Sequence, residues 1–375
     1  MEQSLVAETV SVESLQEEAI TLLKALIRIP SFSKEEKLTG DQLEHFLLKK
    51  GVQTFRNGNN VWAFNKYYNP AIPTILLNSH HDTVTPNSGY MRDPFNPEVS
   101  AGKLFGLGSN DAGGALVSLL ATFLYYYPIK NMAYNLVVAA TAEEEISGTG
   151  GIESISSQLD PIAFALVGEP TQMQLAVAEK GLLVIDCTVH GKAGHAAREE
   201  GDNAIYKALE DINWFKTFSF PKTSPWLGPV KMTVTIIQSG TQHNVVPESC
   251  RFTVDIRLNE CYSHDEVLSI IRSHVKAEIH PRSIRLAPSS IPVDHPLVQS
   301  GIKLGLTCYG SPTTSDQALI KAPSLKIGPG DSARSHTADE FIWLEEIRQG
   351  VDLYIKLLKP VLIPTSASIP NPTSL

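Results

Sequence analysis

Along the first half of the chain the apolar positions follow two rhythms. In SVESLQEEAITLLKALIRIP (11–30) they recur every three to four residues and stop at Pro30, and DQLEHFLLKKG (41–51) repeats the rhythm as far as Gly51. Spacing of that kind predicts amphipathic helices closed by a proline and a glycine. TILLNSHHD, NLVVAATA and FALVGEP are short, nearly continuous apolar runs that end in polar residues, and helix-length segments such as GGALVSLLATFLYYY lie between them. This alternation predicts an α/β sheet whose strands are covered on both faces. Each run carries its polar residues at the C-terminal end, the edge at which open α/β sheets collect their sites.

From about Lys180 the rhythm changes. GLLVIDCTVHG, VKMTVTIIQSG and CRFTVDIRL alternate as half-buried strands do, and NAIYKALEDINWF and HDEVLSIIRSHVKAEI read as helices. After SIRLAPSSIP the earlier style returns with SLKIG and DEFIWLEEIRQGVDLYIKLL. The expected architecture is a larger domain of 1–179 and 289–375, a mixed α/β sheet sandwiched by helices, with a smaller α+β domain of 180–288 inserted into it. PVLIPTSASIPNPTSL (360–375) has no period and reads as a loose tail.

Composition narrows the function. A hydrophobic share of 42% suits ordinary cores, and at 375 residues two domains are the first expectation. A net charge of -9 opposes attraction to nucleic acid or to anionic membranes. No stretch reaches the roughly 20 apolar residues that span a bilayer, and the acidic N-terminus is unlike a secretory signal. A cytoplasmic location is therefore expected. Cys187, Cys250, Cys261 and Cys308 form no CxxC pair and read as buried free thiols.

TAEEEISGTGG (141–151) sets Glu143, Glu144 and Glu145 side by side directly after an apolar run. Adjacent carboxylates raise one another's pKa and resist joint burial unless a cation compensates them. A solvated loop is the plain alternative. Other strand ends offer ligand-type residues too. His80 and Asp82 of SHHD share one face of a strand, so Asp82 can orient an imidazole that ligates through its other nitrogen, whereas His81 points the opposite way and is expected to be structural. Asp111 follows the glycine-rich turn of KLFGLGSNDAGG, Glu169 ends FALVGEP, and His336 lies in GPGDSARSHTADEF. Singly, these residues suit a helix cap, a turn and a surface histidine. Together they converge at junctions of the α/β domain, and catalytic metal sites draw on His and carboxylate donors from several elements.

In order and wording these motifs resemble the dinuclear zinc amidohydrolases, the family of acetylornithine deacetylase, succinyl-diaminopimelate desuccinylase, aminoacylase and glutamate carboxypeptidase. The resemblance runs from LIRIPSFS near Pro30 to the helix after Phe341. It implies a zinc-exopeptidase-like catalytic domain with an inserted lid and dimerisation domain. It also implies two divalent ions, zinc first with cobalt or manganese as alternatives. Asp111 is then the bridging ligand, with His80 and Glu169 on one ion and Glu145 and His336 on the other. Glu144 is the general base and Asp82 the partner of His80. GKAGHAA is similar to the lid motif whose histidine, here His195, stabilises the oxyanion in a neighbouring subunit's site. GTQHNVVPESC, VDIRL and AEKG suggest Asn244, Arg257 and Lys180 as substrate contacts. Ala112 and Gly113 stand where many relatives carry Met-Lys, and Gln317 where arginine is frequent, which leaves the subgroup open. The implied protein is a cytoplasmic homodimer acting on an N-acyl amino acid. GEPT and AEKG lean toward acetylornithine deacetylation in arginine biosynthesis. The alternative substrates are succinyl-ornithine, succinyl-diaminopimelate, other N-succinylated amino acids, N-acetylcitrulline and small peptides. The alternative from another class is a non-catalytic binding protein, which the full set of ligand positions and Glu144 disfavours.

Overall fold

Three parallel strands, Asn135–Thr141, Thr74–His80 and Ile162–Val167, lie side by side at the centre of the larger sheet. They belong to a computed structural model that describes residues 11–159 and 161–363. Asn60–Phe64 joins one side antiparallel. On the other side Ser324–Lys326 runs parallel to Ile162–Val167 and antiparallel to Leu175–Glu179, so the sheet is mixed. Successive side chains on a strand face opposite ways. Ile75, Leu77, Leu136 and Val138 accordingly pack with the helices Val12–Ile27, Gly114–Tyr126 and Leu344–Leu362. Leu76, Val137 and Ala139 meet Ile152, Ile155 and Leu159 of a short helix on the opposite face.

The described chain divides into two units. The first comprises residues up to Val177, Ile291–Tyr309 and the chain from Ser315 onward; the second comprises Ala178–Ser290 and Gly310–Thr314. The short return Gly310–Thr314 lies outside the 180–288 bounds expected from sequence. The second unit holds an antiparallel sheet in the order Lys231–Ser239, Ser249–Leu258, Gly181–His190, Glu278–Pro281. Leu183, Ile185 and Cys187 on one face bury against Ala208 and Phe215 of the helix Ala204–Thr217 and Val267 and Ile271 of His264–His274. Ser263 and Glu266 cap the latter reciprocally.

One expectation is corrected. Pro360 is not the start of a tail but lies inside the helix Leu344–Leu362. A proline within a helix costs about 3 kcal/mol. Here the next two residues, Val361 and Leu362, are buried, and burying such side chains stabilises by roughly 1.5–3 kcal/mol each. Residues 364–375 of the expected tail lie outside the described residues. All four cysteines are free as expected, but only Cys187 and Cys250 are buried; Cys261 and Cys308 are half-buried, against the expectation of burial. Among the described residues no helix is long and apolar enough to cross a membrane.

Candidate metal centre

The register of the parallel strands brings their ends to one level: His80 lies opposite Thr141, and Asn78 opposite Val167. The residues just beyond, Asp82, Glu143 to Glu145 and Glu169, therefore gather at a single edge. His80 is buried there, its Nε2 3.3 Å from Asp111 Oδ1, 3.8 Å from Glu169 Oε1 and 3.9 Å from Glu144 Oε2.

Asp111 reaches this edge through a tight turn. Gly108 has φ +73°, a left-handed conformation, and a Cβ on it would lie 2.5 Å from Thr83 Cγ2, so both backbone and space call for glycine. Gly113, whose backbone is right-handed helical, is required by space alone, because a Cβ there would overlap the Gly108 carbonyl oxygen. The Asp111–Ala112 peptide bond is cis. Oδ1 of Asp111 is turned to His80, while Oδ2 lies 3.7 Å from Nε2 of His336, which is itself 2.9 Å from Glu145 Oε2. Two groups result, His80, Asp111 and Glu169, and Asp111, Glu145 and His336, with one ligand atom from each residue within 4.8 Å of the others in its group. The donor set, imidazole and carboxylate with no thiolate, fits zinc, cobalt or manganese.

The polar words of the strand ends also support one another. Asp82 accepts main-chain N–H bonds from Glu144 (3.1 Å) and Glu145 (3.2 Å) and a hydroxyl bond from Ser33 (2.7 Å). Nδ1 of His80 lies 2.9 Å from the Asp82 carbonyl oxygen and 3.4 Å from its carboxylate, so the expected partnership runs first through the main chain. Glu143 takes φ +56°, gives its N–H to Glu36 and turns its carboxylate to the N–H of Gly150. It closes the loop that carries its two neighbours. His81 packs on the far side, bonded to Thr39 and to the Asn59 carbonyl.

The sequence matches the description "Peptidase family M20/M25/M40" over residues 76–359. The chain belongs to that family. It is accordingly an enzyme of metal-dependent amide hydrolysis. A succinyl-diaminopimelate desuccinylase from Wolbachia pipientis subsp. Culex pipiens is 25% identical over 377 residues, covering 92% of this chain and 94% of the relative. The aminopeptidase PepT from Bacillus cereus and a tripeptidase from Staphylococcus aureus each superpose with a TM-score of 0.72 at 19% identity, covering 92% of this chain and 98% of theirs. These two likenesses establish the α/β fold of this M20/M25/M40 member.

Electrostatics at the edge are set by crowded carboxylates. Burial alone would lower the pKa of His80, but Glu144, Asp111, Asp82 and Glu169 outweigh it and hold the imidazole well above its ordinary value. His336 is lifted to about 9, chiefly by its hydrogen bond to Glu145. Burial pushes Glu169 up to about 8 and Glu144 well above the usual carboxylate range. Burial also opposes ionisation of Asp111, yet its bond to His80 and the charges around it leave its pKa lowered. The site favours added positive charge.

The remaining residues singled out from sequence lie in the second unit. His195 is exposed on a two-residue ladder, opposite Val245, with Nδ1 accepting the N–H of Ala197. The neighbouring Asn244 carbonyl accepts the N–H of Ala196. Arg257 is forked onto Asp255, at 2.8 and 3.0 Å. Lys180 is half-buried, and its main-chain N–H points to the Ser311 carbonyl. Sequence reasoning missed Glu340 and Asp316. Glu340 stands four residues after His336 and accepts three main-chain N–H bonds from the Asp111 turn. Asp316 bonds the Thr141 hydroxyl at 2.7 Å, and burial raises its pKa to about 6. Only the turn-like TTSDQ marks Asp316 in the sequence.

Proposed function

We propose that the protein hydrolyses the amide bond of an N-acyl amino acid using two divalent ions, one held by His80, Asp111 and Glu169 and the other by Asp111, Glu145 and His336. The observation that carries this reading is Asp111, whose two carboxylate oxygens face two different imidazoles. When bound, the ions supply Lewis acidity, acidifying water and polarising the acyl carbonyl. Glu144 belongs to neither triad, yet its Oε2 lies 3.9 Å from His80 Nε2. It takes the proton of the attacking water and returns it to the leaving amine. Asp82 keeps Glu144 and Glu145 in place through their main-chain N–H groups.

The second unit is assigned the role of lid and dimer contact. Lys231–Ser239 is an edge strand with Ile236 and Ile237 48% and 52% exposed, and an apolar edge of that kind invites pairing with a second copy. In such a homodimer His195 serves the oxyanion of the neighbouring subunit. Asn244, Lys180 and Arg257 contact the substrate, Arg257 by exchanging Asp255 for a substrate carboxylate.

The desuccinylase from Wolbachia, alike over 92% of this chain, supports an N-succinyl amino acid as substrate. The GEPT and AEKG words support the second reading, N-acetylornithine. Amine release from a panel of N-succinyl and N-acetyl amino acids, with and without chelator, tests both. The expected result is chelator-sensitive turnover with a preference for one acyl class. Zinc-loaded protein inert on the whole panel would overturn the proposal.

A further inference from the structure

We propose that Glu340 is the positioning residue for the shared carboxylate of Asp111. The proposal rests on the two-ion reading above. Glu340 is 2% exposed. One carboxylate oxygen accepts the N–H groups of Asn110 (2.8 Å) and Asp111 (2.9 Å), and the other accepts that of Gly108 (3.2 Å). Its own carbonyl accepts the N–H of Gly106 at 3.0 Å. A single residue thus fastens four amides of the six-residue turn Gly106 to Asp111.

Burying a carboxylate is costly, and burial indeed drives this one up to about 8. Its carboxylate accepts from Gly108, Asn110 and Asp111, all members of this one turn. The group is therefore spent on the turn, and the turn's chemical product is the aim of Asp111. That aim is demanding: its two oxygens must face His80 and His336 separately. Asp82 does the same for the other ligand loop, holding the N–H groups of Glu144 and Glu145. Each loop is thereby registered by a buried carboxylate that touches no ion position itself. Glu340 also lies in the segment that delivers His336, so one residue ties together two ligands of the Glu145 site. Loss of its acceptor should weaken that site more than the one built on His80 and Glu169.

The test titrates manganese(II) alone into metal-free, full-length wild type and Glu340→Gln, with binding followed by equilibrium dialysis and spin coupling by electron paramagnetic resonance. Tyr126→Phe, which removes the buried hydroxyl bond to the Ile355 carbonyl far along the chain, is the stability control. Wild type and control should bind two coupled ions. Glu340→Gln should keep one and bind the second about 10- to 100-fold more weakly, with the coupled signal reduced. Two ions of undiminished affinity and coupling in Glu340→Gln would overturn the inference. Fewer than two ions in wild type would instead sink the two-ion reading. Hydrogen exchange on metal-free wild type needs no variant: the Asn110 and Asp111 amides should exchange slowly, and rapid exchange there also defeats the proposal.

Discussion

Glu144 is the side chain on which the proposed chemistry turns. It sits beside His80 but outside both triads, so removing its carboxylate should spare the ions. Glu144→Gln is expected to fold, to retain wild-type metal content and to lose about 10²- to 10⁴-fold in kcat. Unchanged kcat at full metal loading would take the general-base role from it. Asp82→Asn should behave differently, because the amide turns an N–H₂ toward donors that the carboxylate now satisfies. Its metal affinity should fall about 10- to 100-fold, as read by competition with a chelator. At this scale the sequence was legible wherever a donor ended a strand, as at His80 and Glu169. Glu143 and Glu340 were not legible in their roles, because a carboxylate that binds main-chain amides leaves no spacing pattern.

Among the elements, the turn before Gly114–Tyr126 is the most constrained. Gly108→Ala should destabilise the protein by at least roughly 1–2 kcal/mol from its left-handed backbone alone, with the contact to Thr83 added. Urea denaturation of the metal-free protein measures this, and an unchanged midpoint would mean that the turn relaxes freely. Period made the strands and helices readable: the residues that alternate in TILLN and NLVVA are those that divide between the two faces of the sheet. The helix end at Pro360 misled because burial of Val361 and Leu362 overrides a local breaker. The return through Gly310–Thr314 was invisible because it groups with the second unit by contacts distant in sequence.

For the molecule as a whole, crowded acids link stability to pH and to metal. Glu169 and Glu340 have folded pKa values raised to about 8, so the stability they contribute is present below the ordinary value of 4.5 and is lost as pH climbs through 8. His336, raised to about 9, acts in the same direction above 6.5. Asp82 and Asp111 are shifted down, and their contribution is complete above the ordinary value of 3.8. Bound cations favour the ionised carboxylates. The gap in Tm between zinc-loaded and metal-free protein should therefore widen from pH 5 to pH 8 in a thermal melt, and a constant gap would contradict this linkage. The central claim is that distant loops converge on two ions through Asp111. Anomalous diffraction from a zinc-loaded crystal tests it most directly. The account predicts two peaks about 3.5–4 Å apart, one on His80 and Glu169, the other on Glu145 and His336, with an oxygen of Asp111 on each. A single peak, or ions bound by other residues, would contradict it.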